Sequence, residues 1–105
     1  MHSDVADLLL QIERELRRLA LWSDTPATQQ QMMSREPFCI DTMTFPEWVQ
    51  FVFIARLAFI IEQGAAFPTA SDIAPMAEEY FKGAKLDGGH IVALIKQFDQ
   101  LVTNH

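Results

Sequence analysis

Cysteine is nearly absent from the 105-residue chain: Cys39 stands alone, so no internal disulfide can form and no Cys-x-x-Cys pair exists. Basic charge is scarce as well, with 8 Lys and Arg against 14 Asp and Glu and a net charge of −6. Affinity for nucleic acid comes largely from Lys and Arg neutralising phosphates, so direct DNA or RNA binding is not expected. The densest basic group, Arg14, Arg17 and Arg18, is interleaved with Glu13 and Glu15, the pattern of a solvated helix face. Long hydrophobic runs are missing. The most apolar stretch, Trp48 to Ile61, has 14 residues and contains Gln50 and Arg56, whereas a spanning helix needs about 20. Met1-His2-Ser3-Asp4 offers no basic stretch leading into an apolar one, the pattern of a secretory leader, and the expected compartment is the cytoplasm.

Chemistry-bearing motifs are lacking too. There is no GxGxxG, P-loop, GxSxG, HExxH or EF-hand loop. The histidines are His2, His90 and His105; two lie at the chain ends, where holding them in a rigid site is difficult. Glu78 and Glu79 are adjacent and no ExxH spacing exists, so a di-metal bundle site lacks its ligands. No metal and no cofactor is expected.

What is present is a core. Half of the residues are apolar, with only four Gly and five Pro, which implies one ordinary domain over residues 1–105. Val5, Leu8, Leu9, Ile12, Leu16, Leu19 and Ala20 follow helical spacing and predict a first helix capped by Ser3 and ending near Trp22. Residues 23–37 are polar, with at most a short helical turn entered at Pro26, and Pro37 to Asp41 reads as extended or irregular. Thr44-Phe45-Pro46-Glu47 is a capping box with proline in the first turn, opening a helix that stops at Gly64. At 100° steps this helix has no wide polar face, and Arg56 falls beside Val49 and Val52; it is expected at the centre of the fold. A helix capped at Ser71 carries Ile73, Met76, Ala77, Tyr80 and Phe81 to Gly83. After Asp87-Gly88-Gly89 the last helix presents Ile91, Leu94, Ile95, Phe98, Leu101 and Val102 on one stripe. No segment alternates with period two. The expected fold is all-α, a bundle of about four principal helices around a central apolar helix.

Two side chains invite a functional reading. A guanidinium buried without a partner is costly, so Arg56 is expected either to reach the surface or to meet a carboxylate, Asp41 first, with Asp99 and Glu79 as alternatives; anchoring an anionic group is its functional reading. Cys39 reads as a small packed hydrophobe, with His90 the one residue that could serve it as a base. The aromatic load of Trp22, Trp48, Phe38, Phe45, Phe51, Phe53 and Phe59 is mostly core. So apolar a helix in so small a domain also suggests an exposed interaction surface, including one for self-association.

Pro37-Phe38-Cys39-Ile40-Asp41-Thr42-Met43, followed by Glu47-Trp48-Val49-Gln50-Phe51-Val52-Phe53-Ile54 and Arg56, resembles the YqcC-like family of small bacterial helical-bundle proteins. Trp22 and Ile73-Ala74-Pro75-Met76-Ala77 also fit that pattern. The resemblance implies a protein without an established activity, often encoded beside a tRNA pseudouridine synthase whose name its labels sometimes borrow. Such synthases use an aspartate in an Arg-Leu-Asp context. Here Arg56-Leu57 is followed by Ala58 and Arg18-Leu19 by Ala20, so this chain is not expected to be the enzyme.

The expected role is therefore a non-catalytic interaction module, self-associating or binding a protein, with a tRNA pseudouridine synthase as one candidate partner. Its candidate surface is Phe38, Asp41, Thr42, Met43, Trp48 and Arg56. The alternative is a bundle that binds a small anionic ligand at Arg56. A third reading, catalysis by Cys39, requires a readily alkylated thiol.

Overall fold

Helical spacing dominates the sequence, and the computed structural model, which describes residues 1–104, is helical with no strand among them. Helix α1 spans His2–Arg18 and buries Val5, Leu8, Leu9, Ile12 and Leu16, the expected stripe. It begins one residue before Ser3, which therefore does not cap it, and the chain turns at Ala20 through a φ of 59°, short of Trp22. A short helix α2 (Gln29–Met32) is entered at Thr28 through a capping box with Gln31, not at Pro26. A tight turn with 3-10-type hydrogen bonds follows at Pro37–Cys39, kinked at Phe38, whose φ of 58° is not that of a right-handed helix.

Five further segments complete the fold. Helix α3 (Phe45–Trp48) starts with the expected Thr44–Glu47 capping box. It runs without a break into π-helical turns at Val49–Ile54 and on into α4 (Ala55–Gln63), which stops at left-handed Gly64. Helix α5 spans Ala74–Ala84 and α6 spans Gly89–Thr103. Helix α6 packs against both α1 and α5, while α4 touches α1 and α3 touches α5. The four principal helices are thus α1, the continuous 45–63 helix, α5 and α6.

Burial is divided differently from a simple helical wheel. On α6, Ile91, Leu94, Ile95, Phe98 and Val102 are all nearly inaccessible. The 45–63 helix buries Phe45, Val49, Val52, Phe53 and Leu57 but leaves Arg56 exposed and Phe59 62% accessible. The π turns explain this. Bonds from i to i+5 widen the helix by about one residue, which swings every later side chain back by about 100° relative to an unbroken α-helix. Residues 45, 49, 53 and 57 therefore stay on one stripe, and Arg56 turns to solvent.

Charged groups fasten the ends. Glu15 is buried on α1, not part of a solvated face. It accepts hydrogen bonds from Arg18 at 2.9 and 3.1 Å and lies 3.5 Å from His90 Nδ1 at the start of α6. The Arg18 guanidinium holds the Glu15 carboxyl below its ordinary value of 4.5, against the opposing effect of burial. His2 is also held, with Nε2 at 2.9 Å from the Ala65 carbonyl and its ring 4.8 Å from Phe67. His105 lies outside the described residues.

Two outcomes test this packing. A Cβ on Gly88 would lie 2.2 Å from Cγ of Phe81, whereas one on Gly83 meets nothing within 4 Å. Gly88→Ala should lose about 1–3 kcal/mol in urea unfolding, and Gly83→Ala should gain about 0.5–1 kcal/mol; equal effects would contradict the Phe81 contact. A depressed carboxylate binds fewer protons in the native state than in the unfolded one, so its stabilisation is present above pH 4.5 and is lost as pH falls through the folded value. Glu15→Gln should therefore lose less stability than the parent on acidification below that point, read from urea melts at stepped pH.

Candidate functional site

The irregular segment 37–43 is built around two consecutive residues in the left-handed region, Phe38 (φ 58°) and Cys39 (φ 50°). Neither is glycine, so each costs of the order of 1–2 kcal/mol that the surroundings must offset. Phe38 does so through its ring, whose centroid lies 4.8 Å from Trp48 in an edge-on arrangement and 6.3 Å from Phe45. Thr42 ties the segment to α2: its hydroxyl donates to the Gln31 carbonyl at 2.8 Å, and Gln31 Nε2 donates to the Thr42 carbonyl at 3.2 Å. The Ser34 hydroxyl donates to the Asp41 carboxylate.

Two depressions flank Phe38. The larger, about 590 Å3, lies between the 38–47 stretch and α5. Asp41, Thr42 and Met43 line it together with Ile40, Met76, Glu79 and Tyr80. The smaller, about 300 Å3, is lined by Trp48 and Arg56 with Pro68, Ser71, Asp72 and Ile73. The six expected residues therefore divide into two groups with Phe38 lining both. Met43 is buried and serves as floor, and Trp48 is half-buried in the aromatic cluster with Phe45 and Phe53.

Arg56 does not pair with Asp41, Asp99 or Glu79. Its side chain is exposed and makes no ion pair among the described residues. The three carboxylates are elsewhere: Asp41 meets Ser34, and Glu79 lines the larger depression. Asp99, which is buried, caps α5 from α6. It accepts from the Ser71 hydroxyl at 2.6 Å and from the backbone N–H groups of Ile73 and Ala74 at 2.9 and 2.8 Å. Ser71 thus reaches Asp99 instead of capping the helix itself. An aspartate at a helix N-terminus 25 residues away in sequence satisfies two donors that would otherwise be orphaned.

Ile40, Met76, Glu79 and Tyr80 are among the lining residues that sequence patterning did not assign to this surface. Their one signal is Ile40, an apolar residue in an irregular segment, which is 63% accessible. Cys39 is half-buried, and His90 is engaged near Glu15. No three His, Cys, Asp or Glu side chains come together as metal ligands among the described residues. None of the described helices is long and apolar enough to cross a membrane.

The two roles assigned to Arg56 and Asp99 separate cleanly. Asp99→Ala removes a buried cap and should cost about 2–4 kcal/mol. Arg56→Ala should leave stability within about 0.5 kcal/mol. Chemical denaturation of both variants checks this, and a large loss for Arg56→Ala would restore a structural ion pair.

A family model described as tRNA pseudouridine synthase C matches residues 4–101. An uncharacterised protein of Haemophilus influenzae is 38% identical over 82 residues, 78% of this chain and 77% of that protein. A tRNA pseudouridine synthase C of Pectobacterium carotovorum subsp. carotovorum is 32% identical over 81 residues, which make up 77% of this chain but 22% of that protein. The solution NMR structure of YqcC from Escherichia coli has a TM-score of 0.84 and 28% identity, over 97% of this chain and 87% of that one. Sequence and fold agree across nearly the whole length, and the chain belongs to the YqcC-like family.

Proposed function

We propose that the chain is a non-catalytic interaction module that works alongside a tRNA pseudouridine synthase in the cytoplasm. The observation that carries this reading is the Pectobacterium relative: a protein named tRNA pseudouridine synthase C contains a segment similar to this chain that accounts for 22% of its length. In that protein the segment similar to this chain and the remaining length belong to one polypeptide. The remaining length leaves room for a catalytic domain, which 105 residues without an Arg-Leu-Asp sequence do not supply. A net charge of −6 favours contact with the protein over contact with RNA. The surface for it is built on Phe38, Asp41, Thr42 and Met43, with Trp48 and Arg56 beyond the Phe38 ring. Binding of a small anion at Arg56 is disfavoured by Asp72, which lines the same depression.

Isothermal titration of the purified chain with the tRNA pseudouridine synthase C of the same organism tests the reading. A complex should form, and Arg56→Glu and Phe38→Ala should each weaken it by about tenfold while the variants remain folded. No association at tens of micromolar, or losses of binding that merely track losses of stability, would overturn it. Light scattering in the same series separates hetero-association from self-association.

A further inference from the structure

We infer that the cleft between the 38–47 stretch and α5 seats a positively charged segment of a partner protein, held by an apolar side chain. This rests on the reading of the chain as an interaction module and adds the chemistry of what it binds. The cleft encloses about 590 Å3, within the range of sites that take up bulky groups. Its apolar lining includes Phe38, Met43 and Phe45 as floor and Ile40, Met76 and Tyr80 nearer the opening. Ile40 is 63% accessible, so a partner side chain placed there removes apolar surface from water. Met32 and Met33 are also exposed, next in sequence to the Gln31 that hydrogen-bonds Thr42 of the cleft wall. Methionine adapts readily to the shape of an incoming chain.

The charge is one-sided. Asp41, Glu47 and Glu79 line the cleft and no Lys, Arg or His does. None of the three forms an ion pair among the described residues. Glu47 spends one oxygen on the Thr44 N–H at 2.8 Å, and Asp41 meets only the neutral Ser34 hydroxyl. Three uncompensated carboxylates around an apolar hollow repel an anionic ligand and favour a cation. A small cation would leave the apolar floor unused. A lysine- or arginine-bearing segment with a leucine or aromatic anchor satisfies both the floor and the rim.

The probe is a short amphipathic peptide of leucine and lysine, titrated into the 15N-labelled protein. Amide shifts should concentrate at Ile40, Asp41, Met76, Glu79 and Tyr80, and affinity should fall with added salt. Glu79→Lys and Ile40→Ser should each weaken binding about tenfold. Both side chains are exposed and neither makes a side-chain hydrogen bond, so both variants fold, as a thermal melt checks. Glu62→Lys, outside the cleft, should bind like the parent, and a leucine–glutamate peptide should not bind. Shifts spread evenly over the surface, or equal losses for Glu79→Lys and Glu62→Lys, would overturn the inference. The same variants are titrated with the synthase. A synthase that binds the parent and both cleft variants alike overturns the cleft and leaves the module reading intact. A peptide seated in the cleft with no binding of the synthase does the reverse.

Discussion

The packing of the central helix, and with it the exposure of Arg56, depends on a mismatch between the period of the 45–63 helix and that of an ordinary α-helix. Its core residues, Phe45, Val49, Phe53 and Leu57, recur every four positions. At 3.6 residues per turn such a stripe drifts around the cylinder and would leave the core within a few turns. The π turns at Val49–Ile54 absorb the difference. Phe53 then meets Phe98 edge-on at 5.0 Å, joining this helix to α6, and Arg56 is delivered to the surface without any need for a counter-charge. Widened turns of this kind often lie at functional positions. Here two of their residues, Val52 and Phe53, line the depression that holds Trp48 and Arg56.

The non-helical stretches are secured by a second device, side chains that bond to backbone across long intervals. Gln50 uses both ends of its amide on Ser23, accepting at 2.9 Å and donating at 2.8 Å. Gln31 and Thr42 exchange bonds across the irregular segment, and Asp99 gathers the start of α5. Among the described residues no buried side-chain nitrogen or oxygen lacks a partner. A satisfied polar group holds one geometry where an apolar contact tolerates several, so these bonds fix loops that have little core of their own. One wall of the larger cleft is such a loop, facing α5, and its shape is accordingly set by side chains of other elements.

That division explains which parts were legible in the sequence. Local signals translate directly: the Thr44–Glu47 box, the Gly64 stop, and the stripes of α1 and α6 need only neighbouring residues. Signals that depend on distant residues do not. Ser71 looks like a cap, but the carboxylate that meets the α5 N–H groups comes from Asp99, which nothing in the local pattern connects to it. Glu15 reads as a solvated face until α6 brings His90 beside it. A wheel at 100° per residue puts Arg56 beside Val49 and Val52 because it cannot register a π turn. The candidate surface was half legible for the same reason: Phe38, Asp41, Thr42 and Met43 lie on one segment, whereas Met76, Glu79 and Tyr80 reach it from a helix some 35 residues further on.

Family membership brings an enzyme's name to a chain in which no Arg-Leu-Asp sequence occurs, and charge offers a way to relate the two under the proposed reading. An enzyme that acts on tRNA must carry Lys and Arg to hold phosphates. Those same side chains are what three unpaired carboxylates around an apolar cleft would attract. A small acidic domain beside or within such an enzyme need not touch RNA to influence it. Engaging a basic segment would alter how that segment meets the nucleic acid, and would do so with a strength that falls as salt rises. Under the proposed reading, the acidity that disfavours RNA and the cleft that favours a basic polypeptide both follow from the chain's excess of carboxylates.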